Sequence, residues 1–285
     1  MSVSSLSQMK PSGEYRAILE QISRERLHFD LEQQLQDALW TARAPYSFWR
    51  LRGYQDLAAV FCKGTASTEA ASAFQHVVSL HWAAVLQVTI ETLTPDAKYA
   101  DANVSPAWDG KDVSEAEQTE AMKVLQALCI IHRASKDAAG KAGIVEVLVN
   151  RLRRCSTAAA TNACLDGLLA LMLDNDPNQA RFVQLQGIEK MCLLLREDNV
   201  PPTVRKRAAE YLNLLLTQVL PEGPPVDLKR RAQRSMQAQL GLPAAQVLLE
   251  NVDWGTETGE LDVEHIEFQL QDLSAATISR LSQTA

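Results

Sequence analysis

One cysteine–histidine pair and one pair of histidines have the residue types that could support chemistry. His132 follows Cys129 by three residues, so the imidazole could take the thiol proton and activate the sulfur as a nucleophile. Histidine is a common metal ligand, and His76 and His81 could act as a pair. They lie five residues apart without a nearby carboxylate, however, whereas metal ligands on one helix are favoured at spacings of three or four residues. We favour packing or surface roles for all three histidines.

The sequence lacks the short motifs that bind nucleotides or build common hydrolytic sites. Neither GxxxxGK[ST] nor GxGxxG occurs, and HExxH and GxSxG are absent as well. No cysteine is followed six positions later by arginine, which excludes the phosphate-binding loop of phosphotyrosine-type phosphatases. We therefore expect a protein that is not an enzyme, with no catalytic residue, cofactor, metal or small-molecule substrate. An enzyme of an unrecognised class is the alternative.

Two groups of basic residues are candidates for binding a protein partner. Arg205, Lys206 and Arg207 lie at the start of a predicted helix, where positive charge opposes the helix dipole, so this group is the better candidate. The second group lies further along the chain and comprises Lys229, Arg230, Arg231 and Arg234. We nevertheless favour a solvated helix surface over a binding role for both groups, and more strongly for the second.

Aromatic residues supply the remaining candidates. Trp49 and Arg52 lie where a repeat is predicted to begin, and both residue types are over-represented in interface hot spots. Trp108 and Trp254 lie in segments rich in Pro, Gly and Asp that offer little core, so we consider them for docking as well. For Trp49 itself we favour core packing.

The composition predicts a helical protein. The chain has 285 residues, of which 46% are hydrophobic and only 6% are aromatic. Alanine and leucine, both strong helix formers, are abundant, whereas strand-rich domains use more β-branched and aromatic residues. The length is sufficient for one elongated domain with tails.

Charge and apolar run lengths exclude several kinds of partner. The net charge of −7 gives no positive field that would attract nucleic acid. The longest apolar runs, such as Gly167 to Leu173, fall far below the roughly 20 residues that cross a bilayer, so we expect no membrane insertion. Met1 to Pro11 has no apolar signal core, and the five cysteines include no CxxC pair. These features favour a cytoplasmic protein with reduced cysteines.

Apolar residues recur at helical spacing along most of the chain. One or two helices are predicted over 14–40, and further helices over 45–61, 67–93 and 203–219. Ser114 with Glu117 predicts a capping box. The predicted organisation is a flexible N-terminus (1–13), a helical domain (14–220) with a loop insertion (94–113), and a partly ordered C-terminal region (221–285) with a Pro/Gly linker, short helices and an acidic tail.

An internal repeat predicts the architecture. Gly143-Ile144 and Gly187-Ile188 begin similar apolar segments 44 residues apart (187 − 143), and Gly53-Tyr54 resembles an earlier copy. Glycine can end one helix in a left-handed conformation and let the next turn back sharply. The interval falls within the 40–47 residues typical of armadillo and HEAT repeats. The sequence therefore predicts an all-α, armadillo/HEAT-like helical repeat stack.

A series of segments between residues 121 and 222 carries a resemblance to a known family. The segments are Ala121–Leu128 with His132, Leu168–Asp174 leading to Pro177–Phe182, Gly187-Ile188, and Glu210–Leu212 ending in Leu220–Glu222. Through them, residues 121–216 resemble the cell-division-control protein fourteen family of the septation initiation network, the non-catalytic fungal component and not the phosphatase. Phe48–Leu51 looks similar to the family's upstream segment. The resemblance implies an armadillo-like subunit that binds a germinal-centre-type Ser/Thr kinase in cytokinesis.

We expect a scaffold or adaptor that binds a Ser/Thr protein kinase or a cytoskeletal protein. The alternative is a structural subunit of a microtubule or ciliary (axonemal) assembly. Association with the cytoskeleton at a spindle pole, basal body or cilium accompanies either function. An importin-like peptide ladder is disfavoured, because Ala127 and Leu169 occupy the positions where such repeats place asparagine.

Overall fold

The computed structural model describes residues 13–64, 68–94, 113–216, 220 and 228–250. Every regular element in these ranges is a helix, which confirms the predicted all-α class. The α-helices are α1 (Gly13–Ala42), α2 (Ser47–Gly64), α3 (Thr68–Leu93), α4 (Glu115–Ile131), α5 (Arg133–Lys141), α6 (Ile144–Arg151), α7 (Ala158–Met172), α8 (Asp176–Gln184), α9 (Gly187–Arg196), α10 (Pro202–Leu214), α11 (Leu228–Leu240) and α12 (Leu242–Glu250). No described helix is both long and apolar enough to cross a lipid bilayer.

The helices form a stack around one continuous core. α2 packs against α4, α4 against α7, and α7 against α10, so these four helices make one row. α1 packs against α2 and α3 at the N-terminal end, and α9 packs against α10 and α11 near the C-terminal end. Buried apolar side chains make one cluster that runs from Leu31 to Leu248. The predicted helical repeat stack is therefore confirmed.

The repeat is visible in two successive three-helix units. α4, α5 and α6 begin at residues 115, 133 and 144, and α7, α8 and α9 begin at residues 158, 176 and 187. Each helix thus begins 43 residues after its counterpart, for example 158 − 115. Since a single unit leaves its apolar faces uncovered, each unit depends on its neighbours for a core.

The predicted equivalence of the glycines is wrong by one residue. Gly143 has the expected left-handed conformation before α6 (φ 79°), but before α9 that conformation falls on Gln186 (φ 58°). Gly187 serves a different purpose, because a Cβ there would lie 2.3 Å from the buried ring of Phe182. The second glycine is thus required for close packing.

Gly53 is not an earlier copy of that turn. It lies inside α2, where a Cβ would lie 2.2 Å from the backbone nitrogen of Ala42 at the end of α1. The absence of a side chain lets α1 and α2 pack closely where they meet, so this position sets the geometry of the α1–α2 corner.

One predicted helix start is confirmed. Ser114 and Glu117 form the predicted capping box at the start of α4. Most of the predicted insertion, residues 95–112, lies outside the described residues. Within the predicted C-terminal region, α11 packs against α8 and α9, and α12 packs against α10 and α11.

Candidate protein-binding surface

Large exposed hydrophobic side chains are concentrated at the N-terminal end of the stack. Among the described residues, eleven large hydrophobic side chains are exposed, and eight of them lie between residues 18 and 49. These eight are Ile18, Leu19, Ile22, Phe29, Trp40, Tyr46, Phe48 and Trp49, and together they form what we call the N-terminal apolar surface. Such a concentration on one part of a stack is typical of a protein-interaction site.

The first part of this surface is the outer side of α1. Ile18, Ile22, Phe29 and Trp40 are each more than half exposed, and their spacing places them along one side of the helix. The opposite side of the same helix packs into the core through Leu31, Leu35, Ala38 and Ala42. α1 is therefore apolar on two sides, and among the helices that the structure describes, neighbours cover only one of these sides.

The second part is the corner between α1 and α2. Trp40, Tyr46, Phe48 and Trp49 have exposed fractions of 83%, 70%, 71% and 51%. The backbone turns tightly here, with hydrogen bonds from the Arg43 amide to the Trp40 carbonyl (3.2 Å) and from the Trp49 amide to the Tyr46 carbonyl (3.1 Å). The Phe48 and Trp49 rings meet edge to face with centroids 5.4 Å apart. Four aromatic rings are thus held at one turn.

A buried ion pair fixes this corner to the rest of the stack. Arg50, the residue after Trp49, points inward, and its Nε donates to Glu117 Oε1 of α4 at 2.7 Å. Its Nη1 donates to the Pro45 carbonyl at 2.7 Å, inside the corner itself. Both charged side chains are fully buried. The first turn of α2 therefore presents its aromatic rings from a rigid base.

Hydrogen bonds keep the Glu117 carboxylate charged despite its burial. Oε2 accepts from the Ser47 hydroxyl (2.6 Å) and from the backbone amide and hydroxyl of Ser114 (both 2.7 Å). Burial opposes ionisation, but these bonds and that from Arg50 outweigh it and hold the pKa of Glu117 below its usual range. Every oxygen of the carboxylate is thus engaged, which is what a stable buried ion pair requires.

The structure places the predicted partner-binding residues at two separate positions. Trp49 and Arg52 lie on α2 at the aromatic corner, where Arg52 forms an ion pair with Asp56 at 3.1 Å. Arg205, Lys206 and Arg207 lie on α10, at the other end of the α2–α4–α7–α10 row. Trp108 and Trp254 lie outside the described residues.

Arg207 is engaged within the molecule. Its guanidinium lies 2.5 Å from Asp166 of α7 and 3.3 Å from Glu210 one turn along α10. Arg205 and Lys206 are half-buried on the same helix. Arg207 thus connects two neighbouring repeats, and this contact accounts for its position without a partner protein.

The residues considered for chemistry have packing roles. Burial raises the pKa of the Cys129 thiol to about 12, so a reactive thiolate is disfavoured. His132 stacks on Trp82 with ring centroids 5.0 Å apart, its Nδ1 lies 3.0 Å from the Ser135 hydroxyl, and burial lowers its pKa. His132 lies between α4 and α5 and joins this junction to α3.

The histidines of α3 face α1. The expectation that no carboxylate lies near them is wrong, because His81 Nε2 lies 3.0 Å from Glu32 Oε1. His76 contacts His28 with ring centroids 5.5 Å apart. Carboxylates on a neighbouring helix cannot be recognised from spacing along α3. In the part of the chain that the structure describes, no group of three or more potential ligands could hold a metal ion.

The sequence identified Trp49 as a candidate, but the favoured core packing is wrong because the side chain is 51% exposed. Most of the N-terminal apolar surface was missed. Ile18 and Ile22 seemed to belong to the same buried stripe as Leu27, Leu31 and Leu35. The five-residue step from Ile22 to Leu27 turns the helix by about 140°, which moves the two isoleucines away from that stripe. That step is the signal that could have revealed the outer side of α1.

Comparisons with known proteins do not assign the chain to a family. No family model matches the sequence. No curated protein matches it either. Among solved structures, the crystal structure of an engineered protein is similar over 74% of this chain and 96% of its own length, with 17% identity and a TM-score of 0.37. A likeness at that level carries no argument about function.

Proposed function

We propose that this protein is a non-catalytic scaffold or adaptor that binds a protein partner through its N-terminal apolar surface. The observation that carries the proposal is that eight of the eleven large hydrophobic side chains exposed in the described part of the chain lie between residues 18 and 49. Aromatic side chains held on a rigid base lose little conformational freedom on binding, and they are frequent hot spots.

The proposed partner is a Ser/Thr protein kinase that acts in cell division. Support comes from the resemblance of residues 121–216 and of Phe48–Leu51 to a septation network subunit that binds such a kinase. Phe48 and Trp49 of that second segment are exposed, whereas Arg50 is buried. The segment thus has both an anchoring residue and two rings available for contact, as a binding element needs.

Affinity purification of the tagged full-length protein at moderate salt, followed by mass spectrometry, tests the proposal. We expect one Ser/Thr kinase in near-equal amount to the protein. Recovery of tubulin with axonemal proteins and no kinase would instead favour the structural subunit of a microtubule or ciliary assembly. Recovery of no protein in comparable amount would contradict the scaffold function itself.

Two matched variants locate the binding surface in the same experiment. Phe48→Ser with Trp49→Ser should reduce recovery of the partner at least tenfold, because two exposed rings are removed. Ile130→Ser with Leu242→Ser is the control, since these side chains are also exposed but lie outside the N-terminal apolar surface. Equal loss in both variants would argue against a specific surface.

The basic residues of α10 need a separate variant. Arg205→Glu with Lys206→Glu reverses the charge of this helix start while keeping Arg207 in its contacts with Asp166 and Glu210. Unchanged recovery would exclude these two residues from the interface. Loss of the partner in this variant alone would move the binding surface to the C-terminal end of the stack.

A further inference from the structure

The exposed side of α11 is basic. Leu228, Ala232 and Met236 are buried at intervals of four residues, where α11 packs against α8 and α9. The outward side carries three exposed arginines, and the third lies three and four residues after the other two, which makes it a neighbour of both on the helix surface. These are Arg230, Arg231 and Arg234, and α11 contains neither Asp nor Glu.

The negative charge of the chain is concentrated directly after α12. Residues 251–285 contain seven acidic residues and one arginine, so this segment accounts for −6 of the net charge of −7. The acidic residues are Asp253, Glu257, Glu260, Asp262, Glu264, Glu267 and Asp272. The remaining 250 residues are therefore almost neutral as a whole.

The acidic segment follows a helix that packs against α11. α12 ends at Glu250 and packs against α11. The seven residues from Glu250 to Glu257 can span at most about 25 Å when extended. α11 has 13 residues, so its length along the helix axis is about 20 Å. The tether is thus long enough to reach α11 and short enough to give a high effective concentration.

We propose that the acidic segment 257–267 docks on the basic side of α11 in the same molecule. The contacts are carboxylate–guanidinium pairs with the arginines at 231 and 234 at their centre. Each exposed pair contributes little by itself, so docking needs several pairs together with the short tether. Docking shields the basic side of α11 from acidic partner proteins and weakens as added salt screens the charges.

The test uses Trp254, which lies three residues before Glu257. Full-length protein labelled with 5-fluorotryptophan gives one fluorine NMR signal for each tryptophan, and Trp254→Phe assigns the signal of interest. At low ionic strength we expect the Trp254 signal to be as broad as those of the folded stack. In the variant with both Arg231→Glu and Arg234→Glu, the linewidth of the Trp254 signal should decrease severalfold. High salt should decrease the same linewidth in the parent protein.

Three controls make the result specific. Arg133→Glu with Arg154→Glu changes the net charge equally at exposed positions on other parts of the stack and should leave the Trp254 signal broad. Glu260→Arg with Glu264→Arg, added to the α11 variant, should restore the broad signal. Circular dichroism confirms that each variant is folded.

Two outcomes would overturn the proposal. A Trp254 signal of the same width in the parent, in the α11 variant and at high salt would show that charge does not hold the segment. A width that rises with protein concentration would show that the basic side binds a second molecule and not its own tail.

Discussion

At the scale of single residues, the pair formed by Arg50 and Glu117 determines how the α1–α2 corner is held. Glu117→Ala leaves the guanidinium buried without its carboxylate, so we expect a loss of about 3–5 kcal/mol in the free energy of unfolding. Urea denaturation measures this loss. Glu120→Ala, which removes the exposed contact with Lys123, is the matched control and should change stability by less than about 1 kcal/mol.

The result should also separate the corner from the remainder of the stack. A loss for Glu117→Ala no larger than that for Glu120→Ala would mean that the buried pair is not needed to fix α2 on α4. In that case the rigid base that we infer for Phe48 and Trp49 would be absent.

The same carboxylate predicts a pH dependence. The pKa values of Glu115 and Glu117 in the folded protein lie below their usual values, for Glu115 mainly because Ser156 donates to it, and for Glu117 because its hydrogen bonds outweigh burial. The unfolded chain therefore binds more protons than the folded chain in this pH range. The contribution of the two carboxylates to stability is complete above about pH 4.5 and decreases as the pH falls through their folded-state pKa values.

Urea denaturation between neutral pH and about pH 3 tests this contribution. Glu117→Gln should show a smaller decrease in the free energy of unfolding on acidification than the parent protein, because the glutamine cannot be protonated. Parallel pH profiles for parent and variant would contradict the inferred low pKa of Glu117.

At the scale of elements, the two apolar sides of α1 should differ in their contribution to stability. Leu35→Ala removes a fully buried side chain and should cost about 2–5 kcal/mol. Ile22→Ala removes an exposed one and should change stability by less than about 0.5 kcal/mol. Equal and large losses in thermal or urea unfolding would show that the outer side of α1 is covered within the molecule.

The elements also show how far the sequence determines the fold. Helical spacing predicted the all-α stack, and the Ser114/Glu117 pair predicted the start of α4, because both signals are local. The roles of Gly187 and Gly53 could not be predicted, since each is set by a side chain or backbone that packs against the glycine from another part of the fold.

Less of the candidate site than of the fold could be predicted from the sequence. Trp49 was recognised by residue type, but its partial exposure depends on the inward turn of Arg50 toward a carboxylate 67 positions away. Arg207 looked available by its position at a helix start, and only the stack brings it next to Asp166. Exposure is a property of tertiary packing, so local patterns identify candidates without ranking them.

At the scale of the whole molecule, the two ends of the stack differ in chemistry. The N-terminal end exposes apolar and aromatic side chains on α1 and at the α1–α2 corner. The C-terminal end carries the basic side of α11, followed by the acidic segment. We infer that a partner binds at the first end by burying apolar surface, while charge governs access to the second.

Hydrogen–deuterium exchange of the protein, alone and in complex with the partner recovered by affinity purification, tests this account most directly. We predict that binding slows amide exchange chiefly in peptides that cover residues 40–52, with a smaller effect along the exposed first half of α1. Slower exchange centred on α10 or α11, with no change between residues 40 and 52, would contradict the assignment of the N-terminal apolar surface as the binding site.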